Sequence, residues 1–216
     1  MRRDIVRLAS RWMKFQQKTI VGVDTVSKIK VTETHLKGVR IIEPKAFGDN
    51  RGFFMESYNE RELAEEGIHV DFIQDNQSLS REPGIVRGLH YQLNPKAQTK
   101  LLRALTGAIF DVVVDIRKGS PTFGQWGGFI LSEYNRRQLL IPKGFAHGFC
   151  TLTPDVNVFY KVDQYYAPEA DRGIMWNDPD IGIDWPAGDP ILSEKDQHHP
   201  RLKDAEINFE TGADDR

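Results

Sequence analysis

The sequence predicts a mainly β fold of the sandwich or barrel class, and three observations carry that expectation. Short strand-like runs follow one another closely between residues 72 and 163. Turn residues, mostly Gly, Pro, Asn and Asp, stand in the gaps between them. A single stretch, 59–66, carries helical start and stop signals, so the strand–helix alternation of a parallel sheet is missing.

Taken in order, residues 38–42 read as a short strand closed by Glu43-Pro44. Phe47-Gly48-Asp49-Asn50-Arg51-Gly52 is turn chemistry, because Gly and Asn tolerate positive φ and Asp bonds its own backbone. An extended run resumes at 53–58. In 59–66, Asn59 is the expected cap, Glu62 falls three residues later as in a capping box, and Gly67 ends the helix. Strands are expected at 72–80, 85–92, 100–105 and 108–116, the last two joined by a tight Thr106-Gly107 hairpin turn. In 109–116 the apolar set Phe110, Val112, Val114 and Ile116 alternates with Asp111, Val113 and Asp115, which reads as a half-buried strand. Gly119-Ser120-Pro121 breaks the run. Further strands are expected at 126–131, 138–141, 145–152 and 156–163. Beyond Tyr166 the chain turns rich in Pro, Asp and Gly, the composition of a wrapped tail with short elements.

The resulting division is an N-terminal extension over 1–28, one domain over 29–203 and a polar tail over 204–216. A chain of 216 residues fits one domain with a good core. Within the extension Arg2, Arg3, Arg7, Arg11, Lys14 and Lys18 face a lone acid, Asp4, without the apolar stretch of a secretory signal. It reads as a mobile tail, a segment upstream of a start at Met13, or a basic targeting peptide. Charged residues make up 28% with a net charge of -2, so no general affinity for nucleic acid or membrane is expected. A local basic pocket for an anionic small molecule remains open. The single cysteine, Cys150, has no internal disulfide partner, which suits a reducing cytoplasm, and its apolar neighbours make it a small buried hydrophobe. No apolar run approaches the roughly 20 residues of a membrane helix.

The centre of the strand-rich region is Arg87-Gly88-Leu89-His90-Tyr91-Gln92. Alternation puts Gly88, His90 and Gln92 on one face and Arg87, Leu89 and Tyr91 on the other. Of six histidines, His35, His69, His198 and His199 stand among polar residues and read as solvated, while His90 and His147 lie in strands beside glycine. One reading is a metal. Pro142-x-Gly144-x-x-His147 resembles the second metal motif of cupins, but Gln92 stands where the first motif needs a second histidine. Another is general acid–base chemistry, with His90 as base, a carboxylate such as Asp196 behind it, Lys100 at a developing oxyanion and Tyr160 returning a proton. The third is a satisfied core histidine. Spacing leaves all three open.

Longer motifs add a resemblance. Residues 47–54, Gln74-Asp75-Asn76, RGLHYQ at 87–92, Lys100-Leu101-Leu102-Arg103, FDVVVDIRKGSPTFGQW at 110–126, IPKGFAHGF at 141–149, WNDPDIGIDWP at 176–186 and LSEKD at 192–196 together resemble the dTDP-4-dehydrorhamnose 3,5-epimerase family. The match runs over roughly 29–203, in order and with similar spacing. It implies a homodimeric, cupin-like jelly-roll isomerase whose subunits complete each other's sites. The implied reaction epimerises C3 and C5 of dTDP-4-dehydro-6-deoxy-D-glucose in dTDP-L-rhamnose biosynthesis, without cofactor or metal. By resemblance His90 is the base, Asp196 its dyad partner, Lys100 the enolate stabiliser and Tyr160 the acid. Arg51, Glu56, Gln74, Asn76, Arg87, His147 and Lys195 match substrate contacts, Tyr166 a ring that stacks on thymine, and Asp171 a nucleotide-side contact. At Asp171 many relatives carry Glu, which reaches further. A mono-epimerase, a metal-dependent cupin and a non-catalytic binding protein are the alternatives, and the expected location is the cytoplasm.

Overall fold

The structure, a computed structural model, describes residues 28–211, so residues 1–27 of the expected extension lie outside it. Two antiparallel sheets carry the fold. One is six-stranded, in the spatial order β1 (Ile29–Glu33), β2 (Arg40–Pro44), β10 (Gln138–Ile141), β7 (Lys100–Thr106), β12 (Val156–Val162) and β5 (Gln74–Ser80). The other is five-stranded: β13 (Asp171–Gly173), β6 (Val86–Gln92), β11 (Phe145–Thr151), β8 (Ala108–Asp115) and β9 (Trp126–Ser132). Apart from the β8–β9 hairpin, each step from β5 to β13 crosses to the opposite sheet. That is the winding of a jelly roll, as expected.

Three apolar clusters order the layers. Leu102 and Val158 of the six-stranded sheet meet Val113, Phe145 and Phe149 of the five-stranded sheet in the core between them. The outer face of the five-stranded sheet, with Val86, Leu89, Tyr91, Phe110, Val112 and Val114, is covered by Ile174, Ile181, Ile207 and Phe209 from the C-terminal segment. The outer face of the six-stranded sheet is covered by Leu63 and Ile68, from and just after helix α1 (Glu60–Glu65). Asn59 caps that helix as expected, its side chain accepting from the Arg61 and Glu62 amides. The capping-box carboxylate is used elsewhere: Glu62 accepts from the Lys28 amide at 3.1 Å.

Several expectations change. β1 and β13 are not among the expected strands and form by pairing with β2 and β6. The turn expected at 47–52 is a whole hairpin, β3 (Ala46–Asp49) and β4 (Gly52–Met55), with only Asn50 and Arg51 between the strands. β8 is not half-buried; every residue after Ala108 is buried. Its apolar set faces the C-terminal cover, while Asp111 and Asp115 face between the sheets, opposite Phe149 and Phe145. Asp115 is satisfied there by Arg117 (2.7 Å), Ser120 (2.6 Å) and Thr122 (2.6 Å). The segment expected as a polar tail from 204 packs through Ile207 and Phe209.

One local irregularity positions the site. Against β11, His90 pairs with His147 and Arg87 with Phe149, three residues of β6 spanning two of its neighbour. The extra residue is Gly88, with φ +128°. A bulge of this kind flips the alternation, so Val86, Leu89 and Tyr91 face the outer core while Arg87 and His90 both line the cleft between the sheets. A Cβ on Gly88 would stand 2.6 Å from Gly148 Cα and 2.8 Å from the His147 carbonyl, both rigid backbone. Gly88→Ala is therefore expected to cost roughly 2–4 kcal/mol of folding stability. Urea unfolding checks this, and an unchanged midpoint would show that the bulge accepts a side chain.

Candidate active site

The cleft between the sheets is floored by β6 and β11 on one side and β7 and β12 on the other. Two adjoining cavities, of about 440 and 470 Å³, share His90, Lys100, Tyr160 and Lys195 as walls. Each comes from a different element. His90 stands on β6 just past the bulge, Lys100 opens β7, Tyr160 is central in β12, and Lys195 lies in the short helix α2 (Glu194–Gln197). Arg87, His147 and Asp196 line the first cavity; Gln74, Asn76, Tyr166 and Asp171 line the second.

Asp196 reaches His90 from a remote part of the chain. The Ser193 side chain accepts from the Asp196 amide at 3.1 Å and caps α2, which turns the carboxylate toward the cleft. His90 Nε2 donates to Asp196 Oδ1 at 2.5 Å. Burial alone would raise the Asp196 carboxyl, but the His90 hydrogen bond and charge hold it below its usual range. The carboxylate thereby keeps the proton on Nε2 and leaves the Nδ1 lone pair free to accept another.

A second pair lies beside the first. His147 Nε2 meets Asp111 Oδ1 at 2.6 Å, with Asp111 fully buried. Burial raises Asp111 and lowers His147, so both shifts favour the uncharged pair. Burial pushes Lys100 down to about 8, against the opposing pull of Asp111 and Asp171. Burial also raises Tyr160, opposed by Arg87, which keeps the phenol protonated. A cation able to lose charge, a retained phenolic proton and a carboxylate-backed imidazole are the parts that carbon-acid chemistry uses.

The remaining expected residues divide. Arg87 stands at the cleft edge, its guanidinium held by Ser80 Oγ (3.1 Å) and the Leu79 carbonyl (3.4 Å). Asp171 accepts from Lys195 and from the Tyr166 hydroxyl at 3.0 Å. Gln74 donates to Asn76 Oδ1 at 2.9 Å. Arg51 and Glu56 are not in this cleft. Arg51 sits at the tip of the β3–β4 hairpin, 84% exposed and paired with Asp49, and Glu56 pairs with Lys28 and Asn59. Gln92 uses its whole amide on the backbone: Nε2 donates to the Lys96 and Tyr165 carbonyls, and Oε1 accepts from the Ala167 amide. It is no donor for a cupin-type metal beside His90 and His147.

Three functional neighbours escape sequence reasoning. Asp111 looked like a solvent-facing strand residue. Ser193 had a findable signal, since a Ser three residues before an Asp is a capping pattern. His199, expected to be solvated, is only 10% exposed and packs edge-on against His90, with ring centroids 5.6 Å apart.

Comparisons with known proteins point to one family. The profile of the family described as dTDP-4-dehydrorhamnose 3,5-epimerase matches residues 33–204. A protein of that name from Shigella flexneri is 51% identical over 179 residues, 82% of this chain and 98% of its own. A crystal structure of dTDP-4-dehydrorhamnose 3,5-epimerase from Bacillus anthracis with TDP and PPi bound superposes with TM-score 0.79 at 57% identity, covering 80% of this chain and 99% of that one. The Legionella pneumophila dTDP-6-deoxy-D-glucose-3,5-epimerase in complex with dTDP-4-keto-L-rhamnose gives 0.78 at 48% identity, covering 81% and 93%.

The buried lysine makes a measurable claim. Below pH 8 Lys100 carries its charge in the folded protein, where burial opposes it. The unfolded chain keeps that proton up to the usual 10.5, so the cost fades as pH rises from about 8 to 10.5. Lys100→Met is expected to stabilise the fold by roughly 1–3 kcal/mol at neutral pH, to lose that gain above pH 10.5, and to abolish turnover. Thermal unfolding against pH checks it; a destabilised Lys100→Met would show that the ammonium is not strained by burial.

Proposed function

This chain belongs to the dTDP-4-dehydrorhamnose 3,5-epimerase family, and from that premise we propose that it inverts C3 and C5 of dTDP-4-dehydro-6-deoxy-D-glucose to give dTDP-4-dehydro-L-rhamnose, a step of dTDP-L-rhamnose synthesis. The observation that carries this reading is the His90–Asp196 hydrogen bond at the wall of a cleft that Lys100 and Tyr160 also line.

Both carbons are α to the C4 ketone, so loss of either proton leaves an enolate. His90 Nδ1 takes the proton, and Asp196 stabilises the imidazolium that forms. The Lys100 ammonium faces the enolate oxygen; with its pKa near 8 it is still largely protonated at neutral pH. Tyr160 then protonates the carbon from the opposite side, which inverts it. The His90 proton leaves to solvent and Tyr160 regains one before the second carbon reacts. The ketone itself is the electron sink, so the chemistry needs no cofactor.

The rest of the ligand is held by ordinary recognition chemistry. Arg87 offers a planar fork to the diphosphate. Tyr166, 57% exposed, offers a ring face to thymine, with Gln74, Asn76, Asp171 and Lys195 as polar partners along that wall. His147 bonds the ligand or orients the site from beside Asp111.

Arg51 and Glu56 act in the cleft of a second copy. Their hairpin exposes Phe47, Phe53 and Phe54, the last at 69%, a concentration of apolar surface that a homodimer interface would cover. The chain works in the cytoplasm, where a free Cys150 stays reduced.

In deuterated water the enzyme is expected to place deuterium at both C3 and C5; label at one carbon alone would make it a mono-epimerase. Tyr160→Phe is expected to retain exchange of the substrate protons better than completed inversion, and equal loss of the two would make Tyr160 structural. Mixing inactive Arg51→Ala with inactive His90→Ala protein is expected to restore about a quarter of wild-type activity, since half the dimers are mixed and each has one intact site. No recovery after subunit exchange would put Arg51 in its own chain's cleft.

A further inference from the structure

His199 has no part in the reaction above, yet it is buried where a solvated tail residue would not be. Its ring fills the space over Gly173, where an added Cβ would stand 2.3 Å from His199 Nε2. That nitrogen is buried without a hydrogen-bond partner and lies 3.5 Å from Asp196 Oδ1. A buried polar atom left unpaired calls for an explanation, and a ligand is one. One donor atom each of His90, Asp196 and His199 lies within 4.8 Å of the others, the only such cluster among the described residues. We propose that His90, Asp196 and His199 form a binding site for a divalent transition cation of the Zn²⁺ class, and that its occupancy switches the epimerase off.

The donor set suits that class. Two imidazoles and a carboxylate are borderline ligands, favoured by Zn²⁺ or Ni²⁺ over Mg²⁺ or Ca²⁺. Zinc at about 2.0–2.2 Å from each donor sets tetrahedral donor–donor distances of about 3.3 Å. The Asp196–His199 separation of 3.5 Å is already close to that value. The His90–Asp196 separation of 2.5 Å is closed by a proton, and the cation would take that proton's place. The competing cation nearest in sequence, Lys195, is engaged by Asp171.

Inhibition follows from the tautomer. A cation on His90 Nε2 forces the ring's remaining proton onto Nδ1, the nitrogen that must accept the substrate proton. The base is lost while Arg87, Gln74 and Tyr166 remain free to bind nucleotide sugar. Zinc should therefore lower kcat and leave KM nearly unchanged. The site is distinct from the cupin pattern, which would use Gln92 and His147, and its inhibitory half rests on the function proposed above.

The test titrates ZnCl₂ into the full chain during steady-state epimerisation, and Co²⁺ into the same protein without substrate. Expected are a fall in kcat reversed by EDTA, one equivalent of Co²⁺ giving visible d–d bands, and both effects weakened at least about tenfold in His199→Gln, each variant measured against its own metal-free rate. His198→Gln should behave as wild type, since His198 is exposed. Equal zinc sensitivity of wild type and His199→Gln, inhibition confined to KM, or no Co²⁺ bands in the wild-type protein would each overturn the proposal. The cobalt arm needs no turnover, so bands without zinc inhibition would count against His90 as the base while leaving the metal site in place.

Discussion

The hydrogen bond between His90 and Asp196 is the interaction on which the arrangement depends. It joins residues 106 positions apart and ties the C-terminal segment to the cleft. That segment already contributes Ile174, Ile181, Ile207 and Phe209 to the cover of the five-stranded sheet. The apolar burial is what delivers the carboxylate, because α2 has only four residues and could not hold Asp196 in place alone. Packing on the outside of the sheet thus sets the chemistry on the inside.

The cleft concentrates groups that an interior ordinarily rejects. Lys100, His147 and Asp196 line a space walled by Phe149 and Val158, with Asp111 bonded to His147, and each of the four departs from its ordinary protonation range because of burial or a partner. Desolvation is unfavourable for stability, but it brings Lys100 down to about 8 and strengthens every charge interaction made with an enolate. The outer clusters supply the compensation. The jelly roll can hold this polar seam because both flanking faces are closed by apolar cover from α1 and the C-terminal segment.

The Gly88 bulge has a similar double character. It breaks the register of β6 against β11 and brings two cationic or basic side chains, Arg87 and His90, to one side of a strand. A regular strand would separate them, one in the outer apolar layer. The hairpin tip shows the opposite economy: Arg51 pairs with Asp49 outside its own cleft, on a hairpin that leaves Phe47, Phe53 and Phe54 exposed.

The fold class, most strands and the residues of the His90 site were legible in the sequence. Turn chemistry and period-two alternation are local, and the long motifs around His90, Lys100 and Asp196 kept their spacing. Arg87 was legible only as a conflict between alternation and role, and the bulge that resolves it depends on contact with Gly148 on another strand. The meaning of Asp111 was not legible, since alternation reports two faces of β8 without saying which meets water; here neither does, because the second sheet covers one and the C-terminal segment the other. His199 was misread for the same reason, as polar neighbours in sequence say nothing of Gly173 beneath its ring. By itself the sequence determined which groups are present and which strands carry them. Tertiary structure alone decided which groups meet, because burial and pairing are set by contacts between segments far apart along the chain.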